Sequence, residues 1–450
     1  MARIVAAPYL IAPGQKIREN FGVAYEGADI LLVAPVEKCI GAYPGAEIER
    51  LTDCVLSPGF VNAHMHLYGV LAHGITPPVP IVSFKGFLED YWWPLVENLL
   101  DSEMIAAAAR ANALELIDSG VTSLCDVLEA PLAMPGGLAA EAAVLDGLGL
   151  RALVSTEACE RISAETGLQG LEENAALIEA YKSHERIGGL MCTHTVFTCS
   201  EAFMRAAVKR TAELGTSLQF HLNESRYEPD WCLEHYGMRS AEWYEGIGVL
   251  GDKVLAAQGV QVSEREIELL AKNRVRMVHV PLSNCEVGGG VSPVPELLAA
   301  GITVGLGTDG YINDFFELLR GAFLIHKGHR ENPALMNAHT VWKLATEGGA
   351  DAVYPSLKLG RLQAGSPADF ITIDLSDLPT PANRGNLLDQ LILFRKGLHV
   401  RDVVVAGRHI KREGTLLTGD LKKARTESKR QATRLWETGK ALAAKKEKTK

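Results

Sequence analysis

The chain has 450 residues, 47% hydrophobic and 22% charged, with a formal net charge of −10. That length fits one large domain with a smaller one, and that balance excludes large-scale disorder. The acidic sign argues against nucleic acid as a main partner, because phosphate binding needs a basic footprint.

Eight cysteines are scattered along the chain with no C-x-x-C pair. They read as free, buried thiols in a reducing compartment. The apolar start breaks at Pro8 and Pro13, and no stretch approaches the ~18–20 apolar residues of a membrane span. A cytoplasmic protein with no membrane partner is expected.

In chain order, RIVAAPYLIA, FGVAYEGADILLVAP and AEIERLTDCVLSPG read as short strands separated by turns. A second strand-rich patch, ADFITIDL and VRDVVVAGRHIKREG, returns late. Strand-rich patches flanking an α/β middle predict that the chain ends meet in a small composite β-sandwich.

Between them lie eight β-rich apolar runs: VLSPGFVNAH, GVTSLCDV, LRALVSTEA, IGGLMCTH, TSLQFHLNE, DKVLAAQG, VRMVHVPLSN and ITVGLGTDG. They alternate with amphipathic segments such as SEMIAAAARANALELIDS, EAFMRAAVKRTAEL and SEREIELLAKN. Alternation predicts parallel βαβ units, and near-continuous apolar strands predict a sheet buried on both faces. Eight units over about 255 residues match a (β/α)8 TIM barrel. The expected division is 1–55 for the first part of the sandwich, 56–360 for the barrel and 361–415 for the second part. Residues 416–450 are expected as a solvated C-terminal helix with a frayed lysine-rich tail.

The tips of the runs carry the chemistry. His64, His66, Asp126, Glu157, His194, His221, Glu224, His279 and Asp309 all stand at C-terminal ends, which converge on one face of a β/α barrel. His64 and His66, at i and i+2 on a strand, point the same way. H-x-H alone is a weak signal. With His221 ending the fifth run and Asp309 the eighth, three imidazoles and a carboxylate suit a divalent ion, zinc first and iron(II) as the alternative.

Such an ion brings the pKa of a water from ~15.7 towards ~7. Asp309 alone could be a helix N-cap; in this company it reads as a ligand. Glu224 suits general acid–base work beside the metal, an exposed loop glutamate being the alternative. His194 and His279 read as substrate contacts or as satisfied rim histidines. Trp92, Trp93, Phe197 and Tyr311 could stack on a planar ring or pack in the core.

SPGFVNAHMHLYGVLAHGI, HLNES, HVPLSN, PVPELLAAGITVGLGTDG and GSPADFITIDL, in this order, resemble the amidohydrolase superfamily over nearly the whole chain. Within it the sequence resembles the cytosine/guanine deaminase and triazine chlorohydrolase branch, whose members hydrolyse amidine-like or halogenated nitrogen heterocycles. The fourth run, GGLMCTHT, lacks the bridging lysine of two-metal members, so one divalent metal per subunit is implied. DYWWPLVENLL, HLNESRYEPDWCLEHYG and GTDGYINDFFELLRGAFLIHK look closest to the SsnA-type aminohydrolase group.

The resemblance implies His64, His66, His221 and Asp309 as metal ligands and Glu224 as the proton shuttle. Asp309 would also orient the attacking, metal-activated hydroxide. His194 and His279 match positions that touch substrate, and Asn284 (in HVPLSN) and Trp93 join them as candidate contacts.

One position departs. The sixth strand of such proteins ends in A-H-C-V-H or close to it, whereas this chain has AAQGVQ, with Gln258 and Gln261 at the histidine positions. A glutamine amide can donate to an oxyanion but cannot carry a positive charge or shuttle a proton. Loss of a comparable group typically costs ~10²–10⁴ in rate.

The leading expectation is hydrolytic deamination of a cyclic amidine or nitrogen heterocycle. Displacement of a halide, alkylamine or thiol, or opening of a ring amide, is the rival that Gln258 strengthens. A weakened barrel kept for binding is the reading from another class, opposed by the survival of all four ligands and Glu224. The long rim loops suggest a homodimer or higher homo-oligomer.

Overall fold

The computed structural model describes residues 1–77 and 80–449, with side chains to 442; the side chains of the lysine-rich end lie outside the described residues. The chain opens with strands β1 (Arg3–Ala12), β2 (Lys16–Glu26), β3 (Asp29–Pro35), β4 (Glu47–Arg50) and β5 (Cys54–Pro58). Then come β6 (Phe60–Met65), β7 (Val121–Leu128), β8 (Arg151–Thr156), β9 (Ile187–Gly189) and β10 (Met191–Cys192). β11 (Leu218–Leu222), β12 (Val254–Gln258), β13 (Arg276–His279) and β14 (Val304–Leu306) follow. The last group is β15 (Phe370–Asp374), β16 (Val400–Val405), β17 (Arg408–Arg412) and β18 (Thr415–Leu416).

β6 to β9 pair in parallel in one run and β10 to β14 in another. β9 and β10 share one place in the wall, interrupted at Leu190, so the wall has the eight positions predicted. A parallel bridge between Met65 and Asp309 closes the ring, with Asp309 N–H donating to the His64 carbonyl at 3.2 Å. Alternation explains the near-continuous apolar runs: Val61, Ala63, Cys125, Val127, Leu255 and Val278 fill the interior, while Leu124, Leu128, Ala256 and Met277 join the core beneath the helices. Both faces of each strand are thus covered.

The run VLSPGFVNAH is two strands rather than one. A Cβ at Gly59 would sit 2.1 Å from the Thr122 hydroxyl, so only glycine lets the chain turn there from one sheet to the next. On the near side of Gly59, β5 pairs antiparallel with β15, from Pro58–Phe370 to Cys54–Asp374. One hydrogen-bonded path, β18-β17-β16-β15-β5-β1-β2-β3 with β4 beside β1, unites the two chain ends.

Helices start where the side chains dictate. Asp101 accepts from Met104 N–H at 3.0 Å to open Ser102–Asp118, and Ser263 forms a capping box with Glu266 to open Glu264–Lys272. The C-terminal helix Leu421–Thr449 is not the solvated helix expected. Ala424, Ser428, Gln431 and Leu435 are buried, a 4-3-4 spacing that lays one stripe against Ser102–Asp118. Arg434 pairs with Asp101 at 2.7 Å, and Trp436 Nε1–H donates to the Leu71 carbonyl at 2.8 Å. Half of that stripe is polar, which hid it in the sequence. No helix among the described residues is long and apolar enough to cross a membrane.

Candidate active site

At the open end of the wall, His64 ends β6, His66 follows it and His221 lies in β11. Their ring centroids are 4.8 Å (His64–His66), 5.0 Å (His64–His221) and 5.5 Å (His66–His221) apart. One nitrogen from each lies within 4.8 Å of the others, and all three rings are buried. Asp309 joins them, its Oδ1 3.2 Å from His66 Nε2. Close backbone contact brings the two loops together: a Cβ on Gly69 would meet the Gly310 Cα at 2.9 Å.

The second nitrogen of each ring sets its tautomer. His66 Nδ1–H donates to the Val127 carbonyl at 2.8 Å, and its Nε2 faces Asp309 Oδ1. His64 Nδ1 is 2.5 Å from the Gln219 amide. That contact is made by Gln219 Nε2, while Gln219 Oε1 accepts from Cys125 Sγ at 3.1 Å; a half-turn of the amide would let its oxygen accept from Nδ1–H and free Nε2 for a metal. His64 Nε2 is buried with no partner in the protein. His221 Nδ1 faces Glu157 Oε2 at 3.5 Å.

Burial and the neighbouring His66 and His221 hold His64 far below the usual imidazole value, so it is neutral. Burial also lowers His221. His66 differs: burial works against its charge, but Glu129 and Asp309 raise its pKa on balance. Three converging imidazoles beside an ionised carboxylate are the donor set a borderline divalent cation requires, the ion displacing any proton on them. These residues fit such an ion.

Asp309 is ionised: burial alone would raise its pKa, but His66, His64 and the Gln258 amide lower it on balance. Gly310 N–H donates to its Oδ1 at 2.8 Å and Gln258 Nε2–H to its Oδ2 at 2.7 Å. Asp309 (φ 59°), Gln258 (φ 79°) and Asn223 (φ 49°) all adopt left-handed backbone at neighbouring strand tips. Such strain costs on the order of 1–3 kcal/mol per residue, and it aims these side chains. Glu224 lines the same cavity; burial, with Asp309 and Glu129 nearby, pushes its carboxyl well above the usual range. It holds a proton more tightly than Asp309 does.

The cavity has a volume of about 450 Å³ and is lined on its inner side by His66, Glu129, His194, His221, Glu224, Gln258 and Asp309. His194 thus reaches it, with Nδ1 held 2.9 Å from the Thr198 hydroxyl. His279, Asn284 and Trp93 do not line it, contrary to expectation. His279 turns its Nε2 to His326 Nε2, 3.0 Å away, behind the wall. Asn284 is buried in the short helix Pro281–Glu286. Trp93 packs under the Arg161 guanidinium, 5.0 Å from its ring centroid, while its neighbour Trp92 faces the cavity.

Sequence reasoning missed Glu129, one residue beyond β7. It receives the Tyr68 hydroxyl, and Tyr68 in turn receives Trp92 Nε1–H at 3.2 Å. Glu97, fully buried, is paired with Arg161 at 2.5 Å. Asp126, noted only as a strand-tip acid, accepts from Leu67 N–H at 2.7 Å and so braces the chain after His66; burial pushes it to about 6. Glu129 had a signal, an acid just past an apolar run, whereas nothing in the sequence joined Tyr68 or Glu97 to it.

An eight-stranded parallel barrel with converging histidines and aspartate at its strand tips defines a class, the metal-dependent hydrolases of the amidohydrolase kind. The sequence profile of the Amidohydrolase family matches residues 55–410, and the chain belongs to that family. A 5-methylthioadenosine/S-adenosylhomocysteine deaminase of Thermococcus sibiricus is 33% identical over 360 residues, covering 79% of this chain and 82% of that one. Among solved structures, a zinc-bound adenosine deaminase of Xanthomonas campestris superposes with a TM-score of 0.86 at 24% identity, covering 96% of this chain and 98% of that one. A zinc-bound atrazine chlorohydrolase of Arthrobacter aurescens TC1 superposes at 0.81 with 20% identity, covering 95% and 99%.

Proposed function

We propose that this protein is a zinc-dependent aminohydrolase that removes the exocyclic amine of an adenine-type purine or a related nitrogen heterocycle. The carrying observation is Glu224, its carboxyl pKa raised by burial, and Asp309, its pKa lowered, in one cavity with converging imidazoles. The 33% identical relative named as a deaminase of adenine nucleosides supports the ring type.

In this reading His64, His66, His221 and Asp309 hold the ion. Bound there, a divalent cation supplies Lewis acidity and a water that reacts at neutral pH. Asp309, kept ionised and held at both oxygens, orients the attacking water and accepts its proton. Glu224 delivers its own proton to the ring nitrogen beside the attacked carbon. The water proton on Asp309 passes to the amine, which departs as ammonia, and the second water proton returns to Glu224 as the new hydroxyl becomes the ring carbonyl. Gln258 is a positioning residue for Asp309 through its 2.7 Å hydrogen bond, a more specific task than the oxyanion donor expected from sequence.

Gln258 also favours a second reading. With no titratable group at that tip, a leaving group needing little proton help, such as a halide or thiol, suits the site. The test is zinc-loaded protein offered adenine nucleosides, guanine, cytosine and chloro- or alkylamino-triazines, with ammonia, chloride and alkylamine measured. Ammonia release is expected; turnover without ammonia overturns deamination in favour of the second reading. Metal analysis of protein purified from its host decides zinc against iron(II). A cytoplasmic homodimer or larger homo-oligomer belongs to the same proposal, supported by eight free cysteines and the long rim segment after His66; light scattering measures the assembly.

A further inference from the structure

The outer part of the cavity differs in character from the inner. Phe84, Phe87, Leu88, Tyr91 and Trp92 form one wall. Phe87 stacks on Trp92 with centroids 5.3 Å apart, and Tyr91 meets both rings edge-on at 5.6 and 5.8 Å. Ile75, Tyr311 and Ile312 face that wall.

Among the described residues no lysine or arginine lines the cavity. Arg161, the nearest buried guanidinium behind the wall, is occupied by Glu97 and Asn98 at 2.5 and 2.8 Å. His73 gives its Nε2–H to the Gly310 carbonyl at 2.7 Å. The charged residue left at the rim is acidic: Glu286 ends the helix Pro281–Glu286, lines the cavity, and lies close enough to Tyr91, His73 and Asp309 for their charges to interact.

We propose that the cavity selects nitrogen heterocycles whose second arm is uncharged and apolar (a thioether, alkyl or aryl group), and that Glu286 turns away an anionic arm. This deepens the aminohydrolase reading and rests on it for the ring end. An apolar arm gains by leaving water against the aromatic wall. A carboxylate or phosphate would be desolvated there with no cation to pair with and with a like charge beside it.

The test compares purine nucleosides identical up to the 5′ position. 5′-Methylthioadenosine ends in an apolar thioether, S-adenosylhomocysteine in a carboxylate with an ammonium, and adenosine 5′-monophosphate in a phosphate. Calorimetry on zinc-loaded Glu224→Gln protein gives their affinities without turnover, and ammonia release is followed in parallel on the native protein. An alkylamino-triazine and its carboxyalkylamino counterpart form a matching pair on a second ring.

The methylthio compound is expected to bind at least about tenfold more tightly than the phosphate, with S-adenosylhomocysteine between them. The triazines should order the same way. Glu286→Gln should narrow the gap and Glu286→Lys should close it. Equal or tighter binding of the anionic members overturns the proposal, even if ammonia is released and the aminohydrolase reading stands. A gap unchanged in Glu286→Gln overturns the role given to Glu286. The predicted order without ammonia release supports the selectivity and overturns the deamination. Failure of every compound to bind overturns both.

Discussion

Two regions of this molecule bury polar and ionisable side chains, and they treat them in opposite ways. At the seam between barrel and end sheet, Arg151 Nε lies 2.8 Å from Asp369 Oδ2 and its second nitrogen 3.3 Å from Oδ1. Oδ1 also accepts from Ala406 N–H at 2.8 Å, and Arg151 donates to the Glu185 carbonyl. At the strand-tip mouth, His64 Nε2, His221 Nδ1, Glu157 Oε2 and Gln258 Oε1 are equally buried but have no hydrogen-bond partner in the protein. Left-handed backbone occurs in both regions, at Asn223, Gln258 and Asp309 in the mouth and at Ala406 in the seam. Unpartnered buried atoms occur elsewhere too, as at Glu141, Trp342 and Arg395; what distinguishes the mouth is that several of them converge there with an open cavity. The seam should answer to mutation in stability and the mouth in chemistry.

The largest effects belong to the mouth. His64→Ala should abolish zinc retention, measured by elemental analysis, and lower kcat/KM by more than ~10⁴, since it removes a ligand on which the whole site depends. Stripping zinc with a chelator should lower the melting temperature of the native protein but not of His64→Ala, because only the former gains stability from bound metal. A large drop in the melting temperature of metal-free His64→Ala would break the comparison.

Glu224→Gln should lower kcat by ~10²–10⁴ while zinc content is kept. In the proposed reaction Glu224 is the protonated acid, and burial raises its pKa. The rate should therefore fall as pH rises through that raised value, and this limb should vanish in Glu224→Gln. Because the folded pKa exceeds the unfolded one, Glu224 stabilises the metal-free fold fully below the ordinary carboxylate pKa. That contribution is lost as pH rises through the raised value. A pH–rate profile unchanged by Glu224→Gln would assign the proton to another group.

The seam comes next. Arg151→Ala leaves Asp369 buried with only the Ala406 amide, and should cost about 3–5 kcal/mol in urea unfolding. The kcat of the folded fraction should stay within about twofold, as expected of a site remote from the chemistry. A kinetic loss larger than the stability loss would show that the two regions are coupled. The smallest effect is expected at the C-terminal helix. Trp436→Phe removes the hydrogen bond to the Leu71 carbonyl and should cost about 0.5–1.5 kcal/mol, read as a shift of one or two degrees in melting temperature.

The barrel was legible in the sequence because a parallel sheet covered on both faces has no choice but near-continuous apolar strands, and these stand out against amphipathic helices. That His64, His66, His221, Asp309, Glu224 and His194 come together was foreseeable for a related reason: strand tips are short, defined places, and the fold sends them to one face. The pairing of β5 with β15 was foreseeable as a meeting of strand-rich ends. The switch of sheets at Gly59, inside one apolar run, was not, because it depends on Thr122 across the wall.

What the sequence determined by itself was local: which segments are strands or helices, which tips carry side chains able to ligate a metal, and that Gln258 stands where a histidine is usual. The rest depended on contacts between residues far apart in the chain. Trp92, not Trp93, faces the cavity because Arg161 covers its neighbour. His279 is taken by His326. Glu129 is drawn in by Tyr68, and the C-terminal helix is docked by a stripe that is half polar. Gln258 owes its role to Asp309, 51 residues away. A side chain's type can be read from one position, but its partner comes from another segment of the chain, and only tertiary packing decides which polar groups are satisfied and which are left for a ligand.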